Sequence, residues 1–418
     1  MVRKMLGWLA AAVVAAGFAA VYITMTGVPD DTGGRFGQAS DSSESVAIWV
    51  HSEGLAEMLG EFQTEHPELE LDIRTFRSGM LLYEELTAAI STRTTPHIAE
   101  LDSLYGVAQL AETGALLPVE SEMEDTPWKD SMPRAFTAPF RYREHDWAVP
   151  FGAGLPVLYA NMSLLKNAGF QAQPSFSGWE EALAASEKMT KDVNGDGSND
   201  FWGIAVDREQ SWYFQSLLSD KEGKLDDGNG ASSAFALWKR FVYGSGVMKP
   251  LQHRLAASDF INGRAGLFVS GSDRLPMLER YIGGKFAFEM TPLPRLAQTA
   301  ILPEIRALAP IRSTPEKERA ALRVIKHMIG DETQQRIIRQ LGLLPSRIDI
   351  ADKLAGESNL SERERYVLEA AGSLAVKTAA AGDAKRWNKI GELLETIELM
   401  PDASAEKAAE SLRSAAGD

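Results

Sequence analysis

Strands and helices alternate regularly through the first part of the chain, and this alternation limits the folds available to it. Short apolar or alternating runs at 46–50, 69–74 and 98–101 predict strands, and a helical pattern follows each of them before residue 114. Repeated strand–helix–strand units of this length form parallel sheets with right-handed connections. We therefore predict an α/β fold that begins with a parallel sheet.

The rest of the chain predicts a second α/β region and a mostly helical C-terminal third. Residues 147–152 have the pattern of a strand cut by Pro150, and a second strand is predicted from Leu155 to Asn161. The proline-containing segments at 147–152 and 290–294 are suited to act as hinges. At 418 residues the chain exceeds one ordinary core, so two lobes joined by more than one crossing are expected. Helical patterns fill the last hundred residues, at 315–328, 333–341, 363–378, 384–398 and 403–415.

Charge and cysteine content exclude several classes of function. The net charge is −15, which argues against a nucleic-acid partner because nucleic-acid binding requires a basic face. The chain has no cysteine, so disulfides, thiolate metal sites and thiol catalysis are excluded. The six histidines show no zinc-type spacing and no Gly-x-Ser-x-Gly elbow is present, so we expect no enzyme activity.

The N-terminal segment has the pattern of an export signal. Arg3 and Lys4 precede an uncharged, largely apolar run at 5–29, which is also long enough to span a bilayer. This pattern predicts that residues 1–29 are either a cleaved signal peptide or a retained membrane anchor. Residues 30–45 are rich in Asp, Gly and Ser and predict a flexible tether. The body of the protein is then expected outside the cytoplasmic membrane.

A strand followed by a polar elbow lies at 262–275. The apolar run at 265–269 predicts a buried strand, and 270–273 reads Ser-Gly-Ser-Asp. Ser272 or Asp273 could cap a following helix. In open α/β sheets, ligands bind at the carboxyl ends of strands, so the elbow is a candidate contact. The alternative is an ordinary strand-to-helix loop.

A second motif resembles the start of a calcium-binding loop. Gly197 stands at the sixth position, where such loops turn sharply, but the twelfth position is Gly203 rather than glutamate. We expect a structural calcium ion here, and the alternative is a plain turn before the next strand. Oxygen-bearing side chains alternate along the motif, at Asp192, Asn194, Asp196, Ser198 and Asp200.

Several short motifs along the chain resemble motifs of the sugar-type solute-binding proteins of ABC importers, a family related to maltose-binding protein. The resemblance covers nearly all of 46–416 and rests on the order and spacing of the motifs rather than on any one of them. The motifs are Val46 to Val50 with His51-Ser52, Phe62 with Glu65-His66-Pro67, Asp102-Ser103 with Ala111 to Pro118, Ala148-Val149-Pro150 with Leu158-Tyr159-Ala160-Asn161, Ala168-Gly169-Phe170 with Trp179-Glu180-Glu181, Gly263 to Phe268, and Leu341-Gly342 with Pro345-Ser346-Arg347.

The resemblance implies a two-lobed periplasmic-binding-protein fold with a hinge between the lobes. The N-terminal lobe would comprise 46–149 plus 295–312, and the C-terminal lobe 152–292 plus 315–418. A carbohydrate would bind in the cleft between them, and the closed form would deliver it to ABC permease subunits. We expect a monomer. The open alternatives are a secreted carbohydrate-active enzyme and a ligand-sensing ectodomain that partners a membrane signalling protein.

Candidate ligand-binding residues come from the loops at strand ends and from positions implied by the resemblance. Some of them have other possible roles: Asp102 as a helix cap, Glu53 as a charge in a first helical turn, and Trp387 as a core residue. Some relatives carry tryptophan in the elbow where this chain has Asp273-Arg274, which argues against a maltodextrin-like ligand. The candidates are His51, Ser52, Glu53, Asp102, Ser103, Tyr105, Trp212, Tyr213, Ser272, Asp273, Arg386 and Trp387.

Overall fold

A computed structural model describes residues 45–120, 123, 128–170, 176–207, 229–251, 253–294 and 302–416. Val46–Asp418 forms one compact unit. The strands are β1 (Ser45–Val50), β2 (Glu70–Thr75), β3 (Ile98–Asp102), β4 (Arg141–Tyr142), β5 (His145–Asp146), β6 (Val149–Gly154), β7 (Pro156–Asn161), β8 (Trp202–Val206), β9 (Ala265–Gly271), β10 (Phe288–Pro292), β11 (Glu304–Pro310) and β12 (Leu344–Pro345).

Helices cover both faces of the sheets and form most of the C-terminal part. Several carry the apolar stripe predicted from the sequence, with buried side chains at helical spacing. They are α1 (Glu53–Glu65), α2 (Gly79–Thr92), α3 (Ala108–Glu112), α4 (Arg134–Thr137), α5 (Met162–Asn167), α6 (Trp179–Met189), α7 (Asn229–Lys239), α8 (Ala256–Ile261), α9 (Leu275–Ile282), α10 (Pro315–Met328), α11 (Asp331–Leu341), α12 (Ile348–Ala355), α13 (Glu362–Glu369), α14 (Asp383–Leu399) and α15 (Ala405–Ala416).

The first sheet has six strands in the order β12-β6-β11-β3-β1-β2. As predicted, β1 and β3 are parallel, with Ile48 opposite Ile98. The sheet as a whole is mixed, because β11 returns from late in the chain and pairs antiparallel with both β3 and β6. This antiparallel return brings the start of β11 to the same edge as the ends of β1 and β3.

The second sheet has four strands in the order β10-β7-β9-β8. The chain passes from one sheet to the other at Leu155, between β6 and β7, and passes back between β10 and β11. The expectation that Pro150 interrupts a strand was wrong, because β6 runs through it to Gly154. The ladder accommodates the proline with a register shift between Arg306 and Ala307 on β11.

The division of the chain into two lobes remains a prediction, but helix α10 packs against a different sheet from the one expected. We expected 315–418 to belong with the second sheet. The apolar face of α10, including Leu322 and Ile325, instead shares a core with Val46 and Ile48 of β1 and with Phe62 of α1. This segment follows β11 directly and packs against the six-stranded sheet, since its apolar face is buried there.

The elbow after β9 differs from the sequence prediction in its capping. β9 continues to Gly271, a short 3-10 turn covers Ser272–Arg274, and α9 then starts at Leu275 without a side-chain cap. Ser272 Oγ accepts a hydrogen bond from the Leu155 N–H at 3.0 Å, so it holds the crossing between the sheets. Asp273 contacts the first sheet, as described below.

Candidate functional site

Charged and polar side chains concentrate where the ends of β1 and β3 meet the start of β11. Register pairs Arg306 with Asp102, so the first residues of β11 lie beside the last residues of β3. Side chains two positions apart share one face of a strand, which places Glu304 with Arg306 and Glu100 with Asp102. We call the following six residues the charged cluster: His51, Glu100, Asp102, Asp273, Glu304 and Arg306.

His51 lies between two carboxylates. Its Nε2 is 2.9 Å from Asp102 Oδ1 and 3.3 Å from Glu100 Oε1, and its side chain is 3 % exposed. Burial alone disfavours the imidazolium, but Asp102 and Glu100 outweigh it and raise the pKa of His51 to about 9. In turn, the nearby imidazolium holds the pKa of Asp102 below its usual range despite burial. His51 is therefore a buried cation at neutral pH.

Glu100 fixes the turn that follows β1. Its Oε2 accepts the backbone N–H groups of His51 at 2.8 Å and Ser52 at 3.0 Å. The Ser52 hydroxyl donates to Glu100 Oε1. Three hydrogen bonds to one carboxylate therefore hold the turn, and Glu100 Oε1 lies 3.3 Å from His51 Nε2 and away from solvent.

Arg306 joins the two sheets. Its Nη1 donates to Ser52 Oγ at 2.7 Å, and its Nη2 lies 2.8 Å from Asp273 Oδ2 and 3.4 Å from Glu304 Oε2. Ser52 follows β1 of the first sheet, whereas Asp273 follows β9 of the second. A single guanidinium therefore bridges the two halves of the molecule, and its side chain is only 4 % exposed.

Glu304 holds a proton at neutral pH. Burial raises the pKa of its carboxyl, and the neighbouring Asp102 raises it further, to about 8. Arg306 acts in the opposite direction but is shared with Asp273. The cluster thus contains a protonated carboxyl group, Glu304, close to Asp102, whose pKa is lowered.

A second ion pair lies on the other side of the elbow. Arg274 contacts Asp207 Oδ2 through Nε at 3.1 Å and through Nη2 at 3.0 Å. Ser270 Oγ donates to the same carboxylate oxygen at 3.2 Å. Because Asp207 follows β8 and Ser270 lies on β9, this pair ties the elbow to its own sheet.

A groove of about 580 Å³ lies beside the charged cluster, between α2 and α14. Tyr105 and Tyr83 line it with ring centroids 5.6 Å apart. Burial, together with the nearby Asp102 carboxylate, raises the pKa of the Tyr105 hydroxyl. Trp387 lies close enough to Tyr105 to offset part of that rise in pKa. Aromatic faces and hydrogen-bonding groups therefore line the same groove. Its polar lining residues are Glu84, Thr87, Gln109, Lys385, Asn388, Lys389 and Glu392.

The structure brings only some of the predicted candidate residues together. His51, Asp102 and Asp273 belong to the charged cluster, with Ser52 bonded to it. Asp102 does not cap α3, whose N-cap is Val107. The other candidates that adjoin the cluster or the groove are Ser103, Tyr105, Ser272 and Trp387.

The remaining candidates lie elsewhere. Glu53 is exposed in the first turn of α1 and is not a member of the charged cluster. Arg386 is half-buried on α14, near enough to Lys377 to lower the pKa of that lysine, although burial is the larger cause. Trp387 packs in the core with Ile390 and also lies close to Tyr105. Trp212 and Tyr213 fall outside the described residues.

Sequence reasoning missed three members of the charged cluster. Glu100 was treated as part of an apolar strand, and Glu304 and Arg306 were not assigned any role. The sequence could have indicated them, because each is a charged residue within an otherwise apolar strand. Such residues are seldom buried without partners.

Gly79, the first residue of α2, leaves room for the Asp102 carboxylate. A Cβ at this position would lie 1.9 Å from Asp102 Oδ2 and 3.3 Å from the Tyr105 ring. We expect Gly79→Ala to displace Asp102 from His51 and to destabilise the fold by about 1–3 kcal/mol in urea unfolding. Gly60→Ala in α1 is the matched control, because its Cβ meets no atom within 4 Å. Equal effects of the two substitutions would contradict the packing described.

The calcium-like loop is exposed, and its carboxylates accept hydrogen bonds from the loop backbone. Asp192 accepts from the N–H of Gly195 at 2.7 Å and of Gly197 at 2.8 Å, while Asp200 accepts from Val193 at 2.8 Å. Both glycines have positive φ, of 76° and 89°. Two further predicted ligands accept in the same way: Asn194 Oδ1 from the Asp196 N–H, and Asp196 Oδ1 from the Ser198 N–H.

Comparison with known proteins gives consistent results for family and fold. The family model described as bacterial extracellular solute-binding protein matches 57–360. No curated protein matches the chain. Within the described part of the chain, no helix is long and apolar enough to cross a membrane.

Several solved structures share the fold. An ABC transporter solute-binding protein from Thermotoga lettingae, bound to α-D-tagatose, is 16% identical with a TM-score of 0.76, over 89% of this chain and 99% of that one. A maltose/maltodextrin-binding domain from Bdellovibrio bacteriovorus, bound to maltotriose, is 16% identical with a TM-score of 0.74, over 89% and 98%. A protein from Mycobacterium tuberculosis in complex with glycerophosphocholine is 19% identical with a TM-score of 0.72, over 88% and 96%.

These identities are low, so the neighbours establish the two-lobed periplasmic-binding-protein fold alone. The family model spans well over half of the 418 residues. The protein therefore belongs to the bacterial extracellular solute-binding protein family and acts outside the cytoplasm.

Proposed function

We propose that the protein is the substrate-binding component of an ABC importer and captures a carbohydrate between its two sheets. The observation that carries this proposal is the contact between Arg306 and Asp273, which joins the ends of strands from different sheets. Ligands of α/β sheets bind at such strand ends, and closure of two halves around a ligand is a known way to signal occupancy.

The groove between α2 and α14 has the size and chemistry for a sugar. Its volume of about 580 Å³ falls within the range of small-molecule sites. Tyr83 and Tyr105 offer aromatic surface to the C–H faces of a sugar ring, and neighbouring amide and charged groups can hydrogen-bond its hydroxyls. The carbohydrates bound by the Thermotoga and Bdellovibrio neighbours support this ligand class.

The permease would recognise the closed form, since a ligand that contacts both halves shifts the equilibrium towards closure. We expect the protein to act as a monomer, held near the membrane if residues 1–29 remain as an anchor. A binding role without catalysis agrees with the family, whose members are described as solute-binding proteins.

A thermal-shift screen tests the ligand class. We expect at least one mono-, di- or oligosaccharide to raise the melting temperature, because a ligand selective for the folded protein stabilises it by mass action. Tyr105→Ala should abolish that shift, whereas Tyr281→Ala, at a 54 % exposed residue of α9, should preserve it. If no carbohydrate acts while glycerophosphocholine, amino acids or polyamines do, the carbohydrate assignment fails. Turnover of a glycan would instead support the enzyme alternative.

We also propose that the loop at 192–200 binds a structural calcium ion. Support comes from the alternating oxygen side chains and from the two glycines with positive φ, which permit the tight loop. Calcium is expected to raise the melting temperature, and a chelator to reverse the rise. Asp192→Asn should remove the response, whereas Asp352→Asn on α12 should not. An unchanged melting temperature in calcium and in chelator would refute the site.

A further inference from the structure

We propose that His51, Glu100 and Asp102 form a binding site for a divalent transition-metal cation such as Zn²⁺ at the base of the interlobe site. Within the described part of the chain, this is the one group of three His, Asp or Glu residues whose ligand atoms all lie within 4.8 Å of one another. The proposal is independent of the carbohydrate and of the calcium loop.

The three ligand atoms already converge. His51 Nε2 lies 2.9 Å from Asp102 Oδ1 and 3.3 Å from Glu100 Oε1. Ligands about 2.0–2.2 Å from a zinc ion lie roughly 3.3 Å apart in a tetrahedron, so only small movements are needed. One imidazole and two carboxylates resemble the donor sets of open zinc sites, which leave a position for a water or a ligand.

Backbone contacts hold the donors in place. Glu100 Oε2 is fixed by two main-chain N–H groups, which leaves Oε1 directed towards His51. Asp102 lies against Gly79, where any larger residue would displace its carboxylate. Because the donors come from the ends of two adjacent strands, the site is formed by the scaffold rather than by a mobile loop.

The charge balance also favours a divalent cation. Four buried carboxylates, Glu100, Asp102, Asp273 and Glu304, surround the single guanidinium of Arg306. With Glu304 protonated, loss of the His51 proton leaves three carboxylates against Arg306, a formal charge of −2, and a divalent cation brings it to 0. Unbalanced buried charge is costly, so a cation at this point stabilises the folded state.

The donor set selects the kind of metal. Imidazole suits zinc and other later divalent ions, whereas magnesium prefers an all-oxygen octahedral shell with several waters. On binding, the Nε2 hydrogen of His51 leaves as a proton and the nitrogen lone pair takes its place, so binding releases about one proton per metal. The side chains are 3 % exposed or less, so a metal ion reaches them only when contacts around the cluster open.

Zinc titration of the full-length protein, freed of metal by chelator and dialysis, tests the site. Zn²⁺ is expected to bind with 1:1 stoichiometry and to raise the melting temperature by about 2–5 °C, while Mg²⁺ leaves it unchanged. His51→Gln should lose the zinc shift. A surface alternative exists at His66 and His327, whose rings lie 6.3 Å apart. His66→Gln should therefore retain the shift.

X-ray absorption at the zinc edge keeps the test decisive even if His51→Gln fails to fold. The wild-type complex should show one imidazole among oxygen ligands. Two imidazoles would assign the metal to His66 and His327 and overturn the proposal, as would an all-oxygen shell. No zinc shift in the wild type, or an equal shift in His51→Gln, would also overturn it.

Discussion

Replacement of Arg306 with methionine is expected to destabilise the folded protein by about 3–5 kcal/mol. Arg306 is buried and contacts Ser52, Asp273 and Glu304. Methionine fills a similar volume but supplies neither charge nor hydrogen bonds, so buried carboxylates lose their cation. The free energy of unfolding, measured in urea at pH 7, gives the magnitude directly.

Arg323→Met on α10 is the matched control. Arg323 also pairs with a glutamate, Glu68, at 2.6 Å, but both side chains are about half exposed. Pairs of this kind contribute about 1 kcal/mol or less. A loss of stability at Arg306 no larger than the loss at Arg323 would contradict the account of a buried bridge between the sheets.

Stability is expected to fall as the pH rises, because the native state holds protons that the unfolded chain releases. The pKa of Glu304 rises from its ordinary 4.5 to about 8, and that of His51 from 6.5 to about 9. The Glu304 contribution is complete below pH 4.5 and is lost by about pH 8, and the His51 contribution is lost between about pH 6.5 and 9. Each proton contributes a slope of about −1.4 kcal/mol per pH unit within its window.

Glu304→Gln isolates the first of these contributions. Glutamine mimics the protonated carboxyl and does not titrate, so the variant should match the wild type near pH 4.5 and exceed its stability by several kcal/mol at pH 8–9. Glu53→Gln, at an exposed residue of α1, should follow the wild-type curve throughout. Parallel curves for wild type and Glu304→Gln would show that Glu304 is ionised in the native state.

The sequence predicted the local elements well, since they depend on local periodicity. β1, β3 and α10 appear where apolar spacing placed them, with α10 matching at both ends. The helix predicted after the third strand starts only at Ala108, because Gly106 has a φ of 71° and prevents an earlier start. Pro150 does not end its strand as predicted, because a register shift on the neighbouring strand accommodates the proline.

The candidate site was harder to predict because it depends on distant pairing. His51 and Asp102 were identified from their places at strand ends, where ligands of α/β folds bind. Nothing local to Arg306 indicates that β11 pairs antiparallel with β3, and only that register places its guanidinium beside Ser52 and Asp273. Glu100 was missed for a related reason, since its partner is the backbone after another strand.

Isothermal titration of carbohydrates into the full-length protein tests the central claim most directly. We expect saturable 1:1 binding of at least one carbohydrate, lost in Tyr105→Ala and retained in Tyr281→Ala. The apolar surface buried on closure should give a negative heat-capacity change. No measurable heat with any carbohydrate, together with saturable binding of a non-carbohydrate solute, would contradict it.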